Sequence, residues 1–261
     1  MPKLSIITIN LNNVEGLRRT VDSVVGQIYR DFEWIVVDGG SADGSRELIE
    51  EYSDRITWWV SEPDSGIYNA MNKGILASHG EYLLFLNSGD YLHDRDVLHK
   101  VVPQLQGKDF YTGHEYHEDL DVSSGVFTHS QLFFTMSTAS LPHQSTFISR
   151  KVFDKYGLYR EDLTFASDWY MFYRALIMGD SDIEKLGIFI SVIDVHGVSR
   201  SEAAHKEREN LFSEFPNIDR AVRFYYENHD IVKALRGSKV AYFLFRIYFF
   251  LYRNRKHLLR R

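Results

Sequence analysis

EYLLFLNSGD, residues 81–90, is the stretch whose reading decides the fold. Five consecutive apolar residues, Tyr82 to Leu86, run straight into a polar turn that ends in a carboxylate. An apolar run this short, with no polar alternation, predicts a strand buried on both faces of a parallel sheet. Open α/β sheets bind ligands beyond the carboxyl ends of their strands, and Asn87, Ser88 and Asp90 fall at such an end.

Upstream, the same kind of strand is expected three times. Residues 4–10 (LSIITIN) and 32–38 (FEWIVVD) are rich in β-branched residues, and residues 57–61 make a third strand. Helices are expected between them. Asn12 or Asn13 can cap a helix whose apolar positions Leu17, Val21, Val24 and Ile28 recur at helical spacing. Asp43 can cap a helix over 46–52. The turn Asp64-Ser65-Gly66 leads into a helix over 67–77, and another helix spans about 95–105. Strand and helix alternating in this way imply right-handed βαβ crossovers and a parallel sheet. Polar clusters at 10–12, 38–41 and 87–90 should then line one rim.

Downstream the rhythm changes. DFYTGHEY (109–116) and SGVFTH (124–129) are strand-like without intervening helices, which predicts added antiparallel strands. Residues 166–178 form a helix with Trp169, Phe172, Tyr173, Leu176 and Ile177 on its apolar face. Residues 188–195 form a strand ending at His196. Residues 201–215 form a mostly charged helix that contributes Leu211, Phe212 and Phe215. The expected organisation is one unit over 1–216, built from halves 1–110 and 111–216, followed by a helical tail over 217–261.

At 261 residues and 44% apolar content, the chain can bury a sizeable core. It has no cysteine, which excludes disulfides, a thiolate nucleophile and Cys-ligated zinc and fits a reducing compartment. The N-terminus lacks the regions of a secretory leader, and no run of about 18 apolar residues suggests a membrane span. Net charge is −6, yet residues 231–261 hold nine Lys or Arg and no Asp or Glu, leaving −15 on the remainder. So acidic a body disfavours nucleic acid as a partner.

The glycine-rich loop GGSADGS (39–45) is neither a Walker loop nor a GxGxxG fingerprint. That weighs against a kinase, an ATPase or a dehydrogenase. Asp38, at a strand end, can accept from a base N–H or a ribose hydroxyl.

VDGGSADGS (37–45), SEPDSGIYNAMNKG (61–74) and GEYLLFLNSGD (80–90), in this order and at these intervals, resemble the inverting family 2 glycosyltransferases of GT-A fold. The nearest likeness is to bacterial polysaccharide enzymes similar to the colanic acid fucosyltransferase. It is strong over 3–92, looser to about residue 200, and absent from the tail. The resemblance implies a mostly parallel α/β sheet flanked by helices. It implies nucleotide contacts from Thr8, Asn10 and Glu15, base recognition by Asp38, and a donor loop at Asp64 and Gly66. The helix bearing Asn69, Asn72, Lys73 and Gly74 would follow that loop. Asn87-Ser88-Gly89-Asp90 occupies the place of the family's metal motif, with Asp90 the carboxylate ligand and Asn87 where an acid is usual. One aspartate with a diphosphate suffices in principle for Mg²⁺ or Mn²⁺. The smaller protein charge should weaken metal binding without donor. The alternative for Asp90 is a turn or cap residue.

Inverting transfer needs a base beside the acceptor hydroxyl. Asp168, in FASDW, matches the family's base position, and shielding by aromatics suits a carboxylate to that task. Its alternative, shared with Ser167, is a helix cap. His196 is implied as a late metal ligand, with Asp194 as an alternative polar contact. His143-Gln144 resembles an acceptor-side motif, against a buried structural histidine.

In the tail, Arg236, Lys239, Arg246 and Arg253 share one helical stripe, away from Phe243, Leu244, Ile247, Phe250 and Leu251. Residues 240–252 would span about 20 Å as a helix, short of a hydrocarbon core of about 30 Å. Lying on an anionic membrane through 233–261 fits better, at about 1 kcal/mol per basic residue. The alternative is packing on the catalytic unit or on a second copy, as a homodimer.

The expected function is transfer of a sugar from a UDP-, GDP- or dTDP-linked donor to a hydroxyl of a bacterial cell-surface glycan or lipid-linked oligosaccharide. The expected location is cytoplasmic, peripheral at the inner face of the plasma membrane. One rival is an inactive nucleotide-binding scaffold, which Asn87 favours. A sugar nucleotidyltransferase ranks lower, because residues 9–13 (INLNN) hold no glycine and no basic residue.

Overall fold

The computed structural model describes residues 1–117, 122–123, 136, 140–193 and 201–215. The strand expected over 124–129, Asp194, His196, the side chain of Phe212 and the 217–261 tail lie outside the described residues.

The first half alternates as its sequence dictates. The elements are β1 (Leu4–Asn10), α1 (Val14–Val25), β2 (Glu33–Asp38), α2 (Ser45–Glu51), β3 (Trp58–Ser61), α3 (Ile67–Ala77) and β4 (Tyr82–Phe85). Next come a short β5 (Tyr91–Leu92) and α4 (Val97–Val101), which tightens into a 3₁₀ turn over Val102–Gln104 at Pro103. The second half holds β6 (Phe110–His117), β7 (Val122–Ser123), β8 (Thr146–Ser149), α5 (Arg150–Tyr156), α6 (Ser167–Phe172), β9 (Ile183–Val192) and α7 (Glu202–Leu211). Helix α6 continues as π-helical turns over Tyr173–Met178.

Among the described residues one sheet runs β3-β2-β1-β4-β8-β6-β9-β5, with β7 beside β6. Strands β3, β2, β1 and β4 are mutually parallel. Order reverses at β1: β2 and β3 lie on one side of it and β4 on the other. That is the switch point where doubly wound sheets open a crevice. Strand β8 joins the halves, antiparallel to both β4 and β6.

The side chains of the central strands alternate between two cores. Ile7, Ile9, Ile35, Val37, Leu83 and Phe85 face the layer that includes α3, α5 and α6. Leu4, Ile6, Trp34, Val36, Tyr82 and Leu84 face the layer that includes α1, α2 and α4. Helix α3 rides close on β1: a Cβ at Gly74 would lie 2.4 Å from Ile7 Cγ2.

Several expectations are corrected. Ile28 lies beyond α1, which ends at Val25, and is exposed; its N–H donates to Arg95 O (2.8 Å). Gly44, in the left-handed conformation, takes the N-cap position of α2, but Asp43 Oδ1 does accept from Ser45 N (3.1 Å) and Ser45 Oγ (2.6 Å) at the helix start. Asp43 Oδ2 also accepts from Val14 N (2.8 Å), tying the loop to the start of α1. The strand expected from 188 begins at Ile183, and β8 and α5 are additional to the expected elements. Among the described residues, no helix is long and apolar enough to cross a membrane.

Candidate active site

In-register pairing puts Asn10 beside Asp38, and Asp38 beside Ser61, at the carboxyl ends of β1, β2 and β3. Neighbouring strands lie about 4.8 Å apart, so these polar side chains meet. Asp38 Oδ1 accepts from Asn10 Nδ2 (2.7 Å) and Ser41 Oγ (2.5 Å). Its Oδ2 accepts from Ser41 N (3.0 Å) and Ser61 Oγ (2.6 Å). Burial pushes this carboxyl up, but the bonds from Ser41, Ser61 and Asn10 outweigh that and hold it below its ordinary value. Asp38 is fully buried, so its carboxylate organises the rim loops. The loop after β2 also touches the next motif: a Cβ at Gly39 would lie 2.6 Å from Asp64 Oδ2. Asp64 Oδ1 accepts from Gly66 N (2.9 Å), shaping the turn into α3.

At the end of β4, α1 straps the NSGD turn down. Thr20 Oγ1 donates to Asp90 O (2.7 Å) and accepts from Gly89 N (3.1 Å). Asn13 caps α1 through Gly16 N (3.1 Å), and its Nδ2 donates to Ser88 O (3.2 Å). The Asp90 side chain is 6% exposed, and its Oδ2 accepts from Gln144 Nε2 (3.1 Å). Asn87 Oδ1 is shielded from solvent and has no hydrogen-bond partner among the described residues. These are oxygen donors suited to a hard divalent cation, and the orphaned Asn87 oxygen fits that use. Among the described residues no group of three or more His, Cys, Asp or Glu could hold a metal.

The third centre is Asp168, in the first turn of α6. Tyr68 Oη, from α3, donates to Asp168 Oδ1 (2.8 Å). Tyr159 lies tilted against Tyr68 (5.6 Å between ring centres), and its hydroxyl shares a hydrogen bond with His143 Nε2 (2.9 Å). His143 stacks on Phe85 of β4 (4.7 Å). Burial holds its imidazole below the ordinary value, although Asp168 opposes this. A chain of contacts therefore links Asp90, Gln144, His143, Tyr159, Tyr68 and Asp168 around the end of β4. His143 is the buried structural alternative, while its neighbour Gln144 reaches the site. Ser167 does not cap α6; its Oγ accepts from Arg160 N (2.6 Å).

Other expected donor contacts serve the scaffold. The Thr8 side chain is 0% exposed and accepts from Trp34 Nε1 (3.1 Å), because position 8 faces the α1 layer. Asn72 Nδ2 donates to Tyr159 O (2.9 Å) and Glu161 Oε1 (2.8 Å), and its Oδ1 accepts from Tyr159 N (3.0 Å). Asn69 Nδ2 donates to Glu161 Oε2 (2.9 Å). Together they dock α3 on the segment before α6. Lys73 pairs with Glu62 (2.7 Å). Glu15 is exposed in the first turn of α1.

Thr20, Tyr68 and Tyr159 escape the sequence reading. Thr20 had a signal: it is the polar member of an apolar stripe with Leu17, Val21 and Val24. Tyr68 lies within the quoted 61–74 motif. Only the tertiary structure shows that it reaches residue 168.

Residues 5–159 match the family model described as Glycosyl transferase family 2. An uncharacterized glycosyltransferase of Mycobacterium tuberculosis is 36% identical over 183 residues, covering 68% of this chain and 70% of that protein. A PGL/p-HBAD biosynthesis glycosyltransferase of the same organism is 29% identical over 175 residues, covering 64% and 67%. Among solved structures, S. aureus TarS 1–349 in complex with UDP-GlcNAc is similar with TM-score 0.62 at 18% identity, covering 77% of this chain and 60% of that one. Mannosyltransferase PcManGT from Pyrobaculum calidifontis, in complex with GDP-Man and Mn²⁺, is similar with TM-score 0.58 at 18% identity, covering 79% and 61%. The chain thus spans about three fifths of these solved chains. The fold is that of the GT-A glycosyltransferases.

Proposed function

The chain belongs to glycosyl transferase family 2, and on that premise we propose that it moves one sugar from a nucleotide diphosphate donor to an acceptor hydroxyl with inversion. The observation that carries this reading is the contact chain binding Asp90 and Asp168 to one frame around the end of β4. Asp168 takes the proton of the acceptor hydroxyl. The freed oxygen pair attacks the anomeric carbon, and the sugar–diphosphate bond breaks with its electron pair leaving on the diphosphate. Asp90 and the Asn87 side-chain oxygen would hold Mg²⁺ or Mn²⁺. Such a cation, when bound, neutralises charge gathering on a diphosphate.

The rim at Asn10, Asp38 and Asp64 serves the nucleotide, with Asp38 shaping the loops that receive it. TarS carries UDP-GlcNAc and PcManGT carries GDP-Man, which supports a nucleotide-sugar donor here. A glycan or lipid-linked acceptor, and the narrower likeness to the colanic acid fucosyltransferase group, rest on the sequence motifs. The basic, aromatic composition of 233–261 supports peripheral attachment to an anionic membrane at its cytoplasmic face.

Asp168→Asn is the test. Transfer should fall by at least about a thousandfold, at the upper range of general base catalysis. Thermal stabilisation by a panel of UDP-, GDP- and dTDP-sugars should persist. Retained transfer would remove Asp168 as base. Donor binding without turnover in the unmutated chain would instead favour the scaffold reading.

A further inference from the structure

We propose that Tyr68 is a positioning residue for sugar transfer, fixing the Asp168 carboxylate from the donor-side helix. This deepens the reading of Asp168 as base and rests on it. Tyr68 sits two residues after Gly66, where the 64–66 turn becomes α3. Its hydroxyl donates to Asp168 Oδ1 at 2.8 Å across 100 positions of sequence.

Tyr68 is held rigidly enough for that task. Its ring is 5% exposed and leans on Tyr159, which is itself edge-on to Phe85 and bonded to His143. Asn69 and Asn72, on the same helix, grip Glu161 and the Tyr159 backbone. Burial, then the charge of Asp168, push the Tyr68 phenol well above its ordinary value. It stays protonated and acts as a donor rather than a competing base. A bond at Oδ1 fixes the rotation of the carboxylate and leaves Oδ2 to take the proton of the acceptor hydroxyl.

Among the described residues, the titratable and charged groups packed around this pair come from four elements. Tyr68 comes from α3, Tyr159 and Glu161 from the segment before α6, and His143 from the turn before β8. Glu207 of α7 accepts from Thr164 N (2.8 Å) and Phe165 N (2.7 Å), just ahead of the base. Glu161 is engaged by the two asparagines.

Y68F keeps the ring and removes only the hydroxyl. With donor and acceptor saturating, kcat should fall about tenfold, the scale of one hydrogen bond to a charged group, with donor KM unchanged. The acidic limb of the pH–rate profile should move to higher pH, because a hydrogen bond to a charged form favours that form. A merely structural tyrosine would not move that limb. If Y68F folds poorly, 3-fluorotyrosine at position 68 tests the same bond in the full chain. A more acidic phenol should move the limb to lower pH. D168N separates the two ideas. If D168N retains transfer, the base reading fails and this proposal fails with it. If D168N is inactive while Y68F, or the fluorinated residue, matches the unmutated chain in kcat and pH profile, the positioning role alone is overturned.

Discussion

At Asp38, four donors converge on one buried carboxylate, and the consequence is a pH-dependent stability. Its folded value lies below the ordinary 3.8, so the unfolded chain binds the proton more tightly. The stabilisation is therefore fully present above that ordinary value and lost as pH falls through the lower folded one. Asp38→Asn should cost about 1–3 kcal/mol of stability at neutral pH through misfit donors, read as a lower thermal midpoint. It should also flatten the fall of that midpoint below about pH 4. An unchanged acid slope would contradict this account. Asn87 poses the other residue-scale question. One carboxylate plus an amide oxygen binds a hard cation more weakly than two carboxylates. Mn²⁺ titrated calorimetrically, with a nucleoside diphosphate present, should bind the unmutated chain and lose affinity in Asp90→Ala. Asn87→Asp should bind Mn²⁺ more tightly without nucleotide. An unaltered isotherm in Asp90→Ala would remove Asp90 as a ligand.

The elements were legible in proportion to how local their causes are. Helix α3 was expected over the same residues it occupies, and β1 likewise. Their periodicity is intrinsic to the segment. Strand β8 was missed because TFIS is four residues long and shows its role only when it pairs with β4 and β6. Helix α1 ends before Ile28 although that residue keeps helical spacing, because the chain turns at Gly26. Glycine 74 looks like a flaw in α3, where alanine normally gains about 1 kcal/mol. The structure reverses the sign, since the added Cβ would stand 2.4 Å from fully buried Ile7. Gly74→Ala should cost about 1–3 kcal/mol in urea unfolding. A gain in stability would show that α3 packs on β1 less closely than described.

For the whole molecule, the two halves expected from the sequence share one sheet. Strand β8 carries hydrogen bonds from the first half to the second, and α7 returns to clamp the loop before Asp168. Arg160 Nη1 adds hydrogen bonds to both Glu214 carboxylate oxygens there (2.8 and 2.7 Å). Such continuity should make unfolding cooperative. Trp34 in the first half and Trp169 in the second are both buried. Variants keeping only Trp34 or only Trp169 of the four tryptophans should each give a fluorescence transition in urea that coincides with far-UV circular dichroism. Separate midpoints would mean that the halves unfold independently.

By itself the sequence determined the parallel β1-to-β4 unit and the rim of strand ends, and it singled out Asp38, Asp90 and Asp168 as candidates. Strand periodicity, turn chemistry and motif spacing are all properties of short segments. Tertiary structure alone decided which side chains each of the candidate residues touches. Thr8 and Asn72 are spent on packing, and Asp90 and Asp168 are joined through Gln144, His143, Tyr159 and Tyr68. The physical reason is that a hydrogen bond depends on distance in space. Residues 68 and 168 become neighbours only once α3 and α6 pack on the same face of the sheet.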